Sequence, residues 1–176
     1  MLGEEIPLEG LPYEAQEVAV AASQIMGGGS VYFLGPGPGK TAMLRALAVS
    51  LYKAGFTPIY IKLEWVKYSW GLANYIDKYV ERHKELVGFE PAKDFDVALV
   101  DDGELAVEYP KAYAELISEL RGRIRAVAAR TEDLDAVAAV FGDGLPIYVK
   151  GDGARPRAKA PFGLALIGST IEVEVI

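Results

Sequence analysis

The feature that most narrows what this chain can fold into is an alternation of two periodicities. Five short apolar or β-branched runs, Ser30 to Leu34, Pro58 to Leu63, Asp96 to Asp101, Ile124 to Ala129 and Pro146 to Lys150, are separated by segments with helical spacing. Met43, Leu44, Leu47, Ala48, Leu51 and Tyr52 share one face of the first such helix, which Gly55 stops. Leu11-Pro12-Tyr13-Glu14 opens an earlier helix that ends at Gly27-Gly28-Gly29. Further helices are expected from about Ser69 to Val87, from Pro110 to Leu120, and from an N-cap at Thr131 through Val140. Apolar strands alternating with helices imply an α/β fold whose largely parallel sheet is covered on both faces. Phe162 to Ile167 and Thr170 to Ile176, joined at Gly168-Ser169, break the alternation and read as a terminal antiparallel β-hairpin. The expected organisation is one domain over 1–176: a helical segment at 1–29, the α/β core at 30–150, and a basic loop with the hairpin at 151–176.

Composition removes much of the catalytic menu. The 176 residues include no cysteine and one histidine, His83, so a thiolate metal site, a cysteine nucleophile and a histidine-rich zinc site are excluded. His83 sits among Glu81, Arg82, Lys84 and Glu85 and is assigned no chemistry. No apolar run approaches the roughly 20 residues that span a bilayer. The first ten residues carry Glu4, Glu5 and Glu9 in place of a basic cluster followed by an apolar stretch, so a cytoplasmic protein is expected. A net charge of −7 argues against direct DNA binding, because phosphate neutralisation by basic residues supplies most of that affinity. The few side-chain amides (Gln16, Gln24 and Asn74) and the absent cysteines agree with a thermophilic source.

The chemistry-bearing motif follows the first strand. Gly35-Pro36-Gly37-Pro38-Gly39-Lys40-Thr41 leads from an apolar strand into a helix, the arrangement in which backbone N–H groups and a helix N-terminus cradle nucleotide phosphates. Lys40 would reach the outer phosphates and the Thr41 hydroxyl would bind Mg²⁺. The pattern asks for Gly, four residues, then Gly-Lys-Thr; here Gly35 precedes Gly39 with only three between. Either the loop is one residue short or Leu34 stands in the first glycine's place. Pro36 and Pro38 have no N–H, leaving those of Gly35, Gly37, Gly39, Lys40 and Thr41 as donors. The same residues also suit a plain Gly/Pro turn ahead of a helix.

Two acidic positions support the phosphate reading. Val97-Ala98-Leu99-Val100 runs directly into Asp101-Asp102, and an apolar strand ending in Asp is what a Mg²⁺-organising strand requires. Glu64, just past the second strand, is expected beside the phosphate-loop strand, where it could orient an attacking water as general base. Arg130-Thr131, at the end of the fourth strand, is where a γ-phosphate sensor would sit, although Thr131 is also the expected helix cap. Trp65, Tyr68 and Trp70 flank Glu64 and suit either stacking on a base or covering the sheet. Lys150, Arg155, Arg157 and Lys159 form a basic cluster, either a phosphate contact or a solvated loop.

Taken in order, Gly27-Gly28-Gly29 into Leu34, then Gly35 to Thr41, resembles the Walker A region of the RecA- and KaiC-like class of P-loop ATPases, to which the archaeal-type recombinases belong. Ala46 to Gly55 and the strand Ile59 to Glu64 look like that class's first helix and second strand, and Asp101 matches its Walker B aspartate. The resemblance implies ATP or another nucleoside triphosphate and Mg²⁺ as ligands, with Gly35, Gly37, Gly39, Lys40, Thr41 and Thr131 on the nucleotide. Thr41 and Asp101 would then hold the metal, and Glu64 would be catalytic. It also implies a homo-oligomer, or a protein partner of the same class, in a recombination-mediator or regulatory assembly. Lys150 and Arg155 would there face nucleotide held by a neighbour. Where recombinases carry long DNA-binding loops, this chain is compact, and Glu132-Asp133-Leu134-Asp135 is acidic. Two other readings stand beside this one: a related adaptor subunit that does not hydrolyse nucleotide, and a signalling ATPase of the AAA or STAND type.

Overall fold

The computed structural model describes residues 13–66, 71–149, 156–158 and 171–175. The expected alternation is present: helix α1 (Tyr13–Met26), strand β1 (Val31–Leu34), α2 (Lys40–Lys53), β2 (Pro58–Lys62), α3 (Leu72–Val87) and β3 (Val97–Asp101) follow in turn. Then come α4 (Glu104–Glu108), α5 (Pro110–Leu120), β4 (Ile124–Ala129), α6 (Leu134–Phe141), β5 (Leu145–Val149), β6 (Pro156–Ala158) and β7 (Ile171–Val175). Among the described residues no helix is long and apolar enough to cross a membrane.

The strands lie in the order β2-β3-β4-β1-β5-β7-β6. β2 through β5 pair in parallel, so their carboxyl ends share one edge of the sheet. β7 adds to β5 in parallel, and β6 closes on β7 antiparallel. The antiparallel partner of β7 within the described residues is thus Pro156–Ala158; the expected strand Phe162 to Ile167 lies outside them, as do Tyr68, Trp70, Lys150, Arg155 and Lys159.

Strand alternation sends successive side chains to opposite faces and builds two cores. Val31 and Phe33 point to one face, with Leu99, Ala126 and Ile147, and are covered by Val18 and Ala21 of α1 and by Met43, Leu44, Leu47 and Leu51 of α2. Tyr32 and Leu34 point to the other, with Ile59, Ile61 and Val100, beneath Tyr75 and Ile76 of α3, Leu116 and Leu120 of α5 and Val137 of α6. At about 25 cal/mol per Å² of apolar surface removed from water, these two cores are the main favourable contribution to folding. The result is a helix–sheet–helix α/β architecture, as the alternation predicts.

Helix α3 contributes Val87 to the first core and Tyr75 to the second, so it wraps the free edge of β2, bending at Tyr79. Its side chains also satisfy that edge. His83 Nε2 accepts from the Tyr60 N–H at 3.0 Å, while the Lys62 N–H donates to the Tyr75 hydroxyl at 3.0 Å. An edge strand covered in this way cannot pair with another chain. His83 is therefore structural: its Nδ1 faces the Phe89 carbonyl oxygen at 2.7 Å, which sets the neutral tautomer with Nδ1–H as donor. Burial holds its pKa below the ordinary histidine value, against the raising effect of that carbonyl.

Two expectations are corrected here. β2 is not beside β1: β4 and β3 stand between them, because the connection from β1 carries the chain to the edge of the sheet and β3 and β4 then fill the two positions it skipped. Thr131 does not cap α6. The N-cap is Asp133, whose side chain accepts from the Ala136 N–H, and the Thr131 hydroxyl accepts from the Asp133 N–H at 3.1 Å.

Candidate functional site

Leu34 is fully buried and lies in register with Ala129 and Tyr148, so it belongs to β1 and the loop begins at Gly35. The loop is thus one residue shorter than the usual pattern. Its glycines have steric reasons. Gly35 has φ +109°, and a Cβ there would lie 2.4 Å from the Val149 carbonyl oxygen; a Cβ on Gly37 would lie 2.8 Å from the same oxygen. The short loop is pulled tight against the end of β5. Its backbone donors are spent accordingly: Gly35 N–H donates to the Thr131 carbonyl at 2.7 Å, and Gly37 N–H to that of Val149 at 2.9 Å. Of the five donors the sequence offers, those of Gly39, Lys40 and Thr41 remain, at the N-terminal turn of α2, where N–H groups have no partner within the helix.

Around that turn lies a cleft of about 370 Å³, lined from one side by Gly37 to Ala42 and Arg45 and from the other by Asp101, Asp102, Glu104 and Ala128 to Arg130. Carboxyl ends of parallel strands are where α/β proteins place ligands. The Lys40 ammonium folds back onto the loop and donates to the Gly37 carbonyl at 2.5 Å. Burial and the nearby Arg130 charge lower its pKa, partly offset by Glu104 and Asp101. Three basic residues (Lys40, Arg45 and Arg130), three carboxylates and a helix N-terminus therefore converge on one cavity.

Asp101 is almost fully buried and rigidly held. Its Oδ2 accepts from the Tyr60 hydroxyl at 2.6 Å and its Oδ1 from the Asp102 N–H at 2.9 Å. Asp102 has φ +57°, a left-handed conformation uncommon outside glycine, and this turn brings its Oδ2 within 2.9 Å of Lys62 Nζ. Burial, helped by the Asp101 charge, holds the Asp102 carboxyl above its ordinary pKa against the lowering effect of the Lys62 ammonium. Next, Gly103 donates its N–H to the Ala128 carbonyl and packs so closely that a Cβ would lie 2.5 Å from Val127 Cγ1. That approach starts α4 against β4 and presents Glu104, whose Oε1 accepts from the Arg130 N–H at 2.8 Å.

Some sequence-predicted residues meet in the cleft and others do not. Gly37, Gly39, Lys40, Thr41 and Asp101 line it together. Gly35 and Thr131 bond to each other through their backbones beneath the loop, and Arg130 rather than Thr131 faces the cavity. Glu64 lies in a single 3₁₀ turn, Leu63–Trp65, after the edge strand; its side chain is 67% exposed and 3.6 Å from Lys62, and it is not among the cleft-lining residues. Trp65 packs on Tyr79 with Arg82 over its ring, covering α3. Sequence reasoning missed two charged cleft residues: Arg45, whose guanidinium donates to the Leu86 carbonyl, and Glu104, which stands three positions past Asp101 at the start of a five-residue helix too short to carry a periodic signal.

Among the described residues no three His, Asp, Glu or Cys side chains are grouped to hold a metal by themselves. The Thr41 hydroxyl and the Asp101 carboxylate do share the cleft, and each bonded Asp101 oxygen keeps a second lone pair. Mg²⁺ is commonly held by one or two carboxylates together with phosphate oxygens and waters. The donor set therefore fits an ion that arrives with phosphate.

No family model and no curated protein sequence matches the chain. Among solved structures, that of a DNA replication initiation factor is similar to this chain with a TM-score of 0.49 at 18% identity. The match covers 86% of this chain and 50% of that one, so the chain spans about half the length of that protein.

Proposed function

We propose that this cleft binds the phosphates of a nucleoside triphosphate, ATP in the first instance, together with Mg²⁺. The observation that carries the reading is the convergence of Lys40, Arg130 and the α2 N-terminus with Thr41 and Asp101 in one cavity at the carboxyl edge of the sheet. The volume falls within the roughly 300–1,000 Å³ usual for small-molecule sites. The N–H groups of Gly39, Lys40 and Thr41 would take a phosphate oxygen, the Lys40 ammonium would exchange the Gly37 carbonyl for phosphate, and Arg130 would meet it from the opposite wall. Thr41 and Asp101 would hold Mg²⁺, which when bound offsets phosphate charge.

On the order of its motifs we place the chain with the RecA- and KaiC-like P-loop proteins, acting in a homo-oligomer or with a partner of that class. The geometry favours binding over turnover. Glu64 is exposed and paired with Lys62, and two loop N–H groups are committed to Thr131 and Val149. That favours, as a second reading, a subunit that binds nucleotide without hydrolysing it.

The test is thermal unfolding with and without Mg-ATP on the wild type and Lys40→Ala. Ligand at about 100 times its dissociation constant adds roughly 2.7 kcal/mol, a melting shift of about 5–10 °C for a domain of this size. A shift of that order, lost in Lys40→Ala, is the expected result. No shift at saturating nucleotide would remove the reading.

A further inference from the structure

A cation stands behind the acidic wall of the cleft, against Asp101 and Asp102 rather than among the residues that line the cavity. The Lys62 ammonium lies 2.9 Å from Asp102 Oδ2, 3.8 Å from Asp101 Oδ2 and 3.6 Å from Glu64 Oε2, and its side chain is only 20% exposed. The arrangement is specified from several sides. Parallel pairing puts Lys62 opposite Asp101 in register. The left-handed turn at Asp102 swings the second carboxylate back over β2 to the ammonium, and the Glu64 N–H donates to the same oxygen at 3.3 Å. Such a backbone conformation persists where surrounding contacts over-determine it. Burial opposes the Lys62 charge, yet the three carboxylates together hold its pKa above the ordinary lysine value.

Without Lys62, the adjacent carboxylates of Asp101 and Asp102 would carry uncompensated charge, and one or two carboxylates completed by waters are enough to hold a hard divalent ion. We propose that Lys62 is a resident counter-cation that excludes free divalent metal from the Asp101–Asp102 end of the cleft, so that metal enters only as a complex with phosphate. A bare ion would have to displace an ammonium held by three carboxylates. An ion carried by phosphates brings most of its own oxygen ligands and needs only Thr41 and the free lone pairs of Asp101. The inference deepens the nucleotide reading and rests on it for the identity of the phosphate ligand.

The experiment uses metal alone. Mn²⁺ is titrated into the nucleotide-free full chain, and free Mn²⁺ is read by electron paramagnetic resonance. Wild type is expected to bind weakly. Lys62→Met is expected to bind at least about tenfold more tightly, since one unit charge a few Å away outweighs thermal energy several times even at a protein surface. Lys62→Arg should keep the exclusion, and the double variant Lys62→Met/Asp101→Asn should lose the gained binding. Equal Mn²⁺ affinity in wild type and Lys62→Met overturns the proposal. If circular dichroism shows the Met variant unfolded, Lys62→Gln is read by the same criterion. Because no nucleotide is present, the outcome is separate from that of the ATP melting experiment: either can fail alone.

Discussion

The Tyr60 hydroxyl donates to Asp101 at 2.6 Å, with both side chains buried, and so ties β2 to the end of β3 where the cleft begins. Burial, and then the Asp101 charge, raise the Tyr60 pKa, so the phenol keeps its proton and remains a donor at any physiological pH. Removing the hydroxyl alone leaves a buried carboxylate one partner short.

Tyr60→Phe is therefore expected to cost about 1.5–3 kcal/mol, the usual worth of a buried hydrogen bond to a charged group. That corresponds to a melting temperature lower by about 3–12 °C. Urea unfolding should show a lower midpoint with an unchanged slope. A variant as stable as wild type would mean that the bond contributes nothing.

His83 predicts a pH dependence with a definite sign. Its folded pKa is depressed by burial, so the unfolded chain takes up the proton first as pH falls. The stability that depends on neutral His83 is complete above the unfolded value near 6.5 and declines as pH drops below it. His83→Gln should cost about 1–3 kcal/mol at pH 7.5, because the Tyr60 N–H loses its acceptor. The gap between variant and wild type should narrow on acidification, as wild type weakens. Urea midpoints at pH 7.5, 6.5 and 5.5 measure it, and a constant gap would refute it.

Glu17 acts with the opposite sign. It is 2% exposed in α1, its Oε2 has no hydrogen-bond partner, and burial pushes its pKa up to about 7. A raised acid is protonated in the fold, so its contribution is present below the unfolded value of 4.5 and is lost as pH rises through about 7. Glu17→Gln, neutral at every pH, should be more stable than wild type at pH 8 by roughly 1–3 kcal/mol. The two should converge near pH 5. If Glu17→Gln is no more stable at pH 8, the carboxylate has found compensation in solution.

What the sequence makes legible follows from the range of the interactions. β3 is visible as Val97 to Val100 because a strand buried on both faces must be apolar at every position. Pro110 marks the first turn of α5 and Gly55 follows the end of α2, both local effects. Strand order leaves no local trace: nothing in Ile59 to Glu64 says that β4 and β3 separate it from β1, and the expected role of Glu64 rested on that adjacency. The phosphate-loop donors are another case. Gly35 and Gly37 look free in sequence, but their acceptors, Thr131 and Val149, lie about a hundred residues away. Asp101 was legible because its apolar strand and its acid are contiguous. Glu104 was not, since what makes it a cleft residue is a bond to Arg130 and the fit of Gly103 against Val127.

That contrast between two glutamates yields a last prediction. A general base must reach the water it activates, and Glu104 lines the cavity beside Arg130 whereas Glu64 faces solvent, held by Lys62. If the chain hydrolyses ATP at a measurable rate, Glu104→Gln should lower single-turnover hydrolysis by at least about tenfold, within the usual contribution of a positioned acid or base. Glu64→Gln should change it less than about twofold, because the carboxylate it removes is exposed and screened. ATP-dependent melting shifts, measured alongside, separate lost binding from lost chemistry. A steep loss in Glu64→Gln with intact binding would mean that Glu64 reaches the nucleotide in the bound state, through movement of the 3₁₀ turn that now carries it at the edge of the sheet.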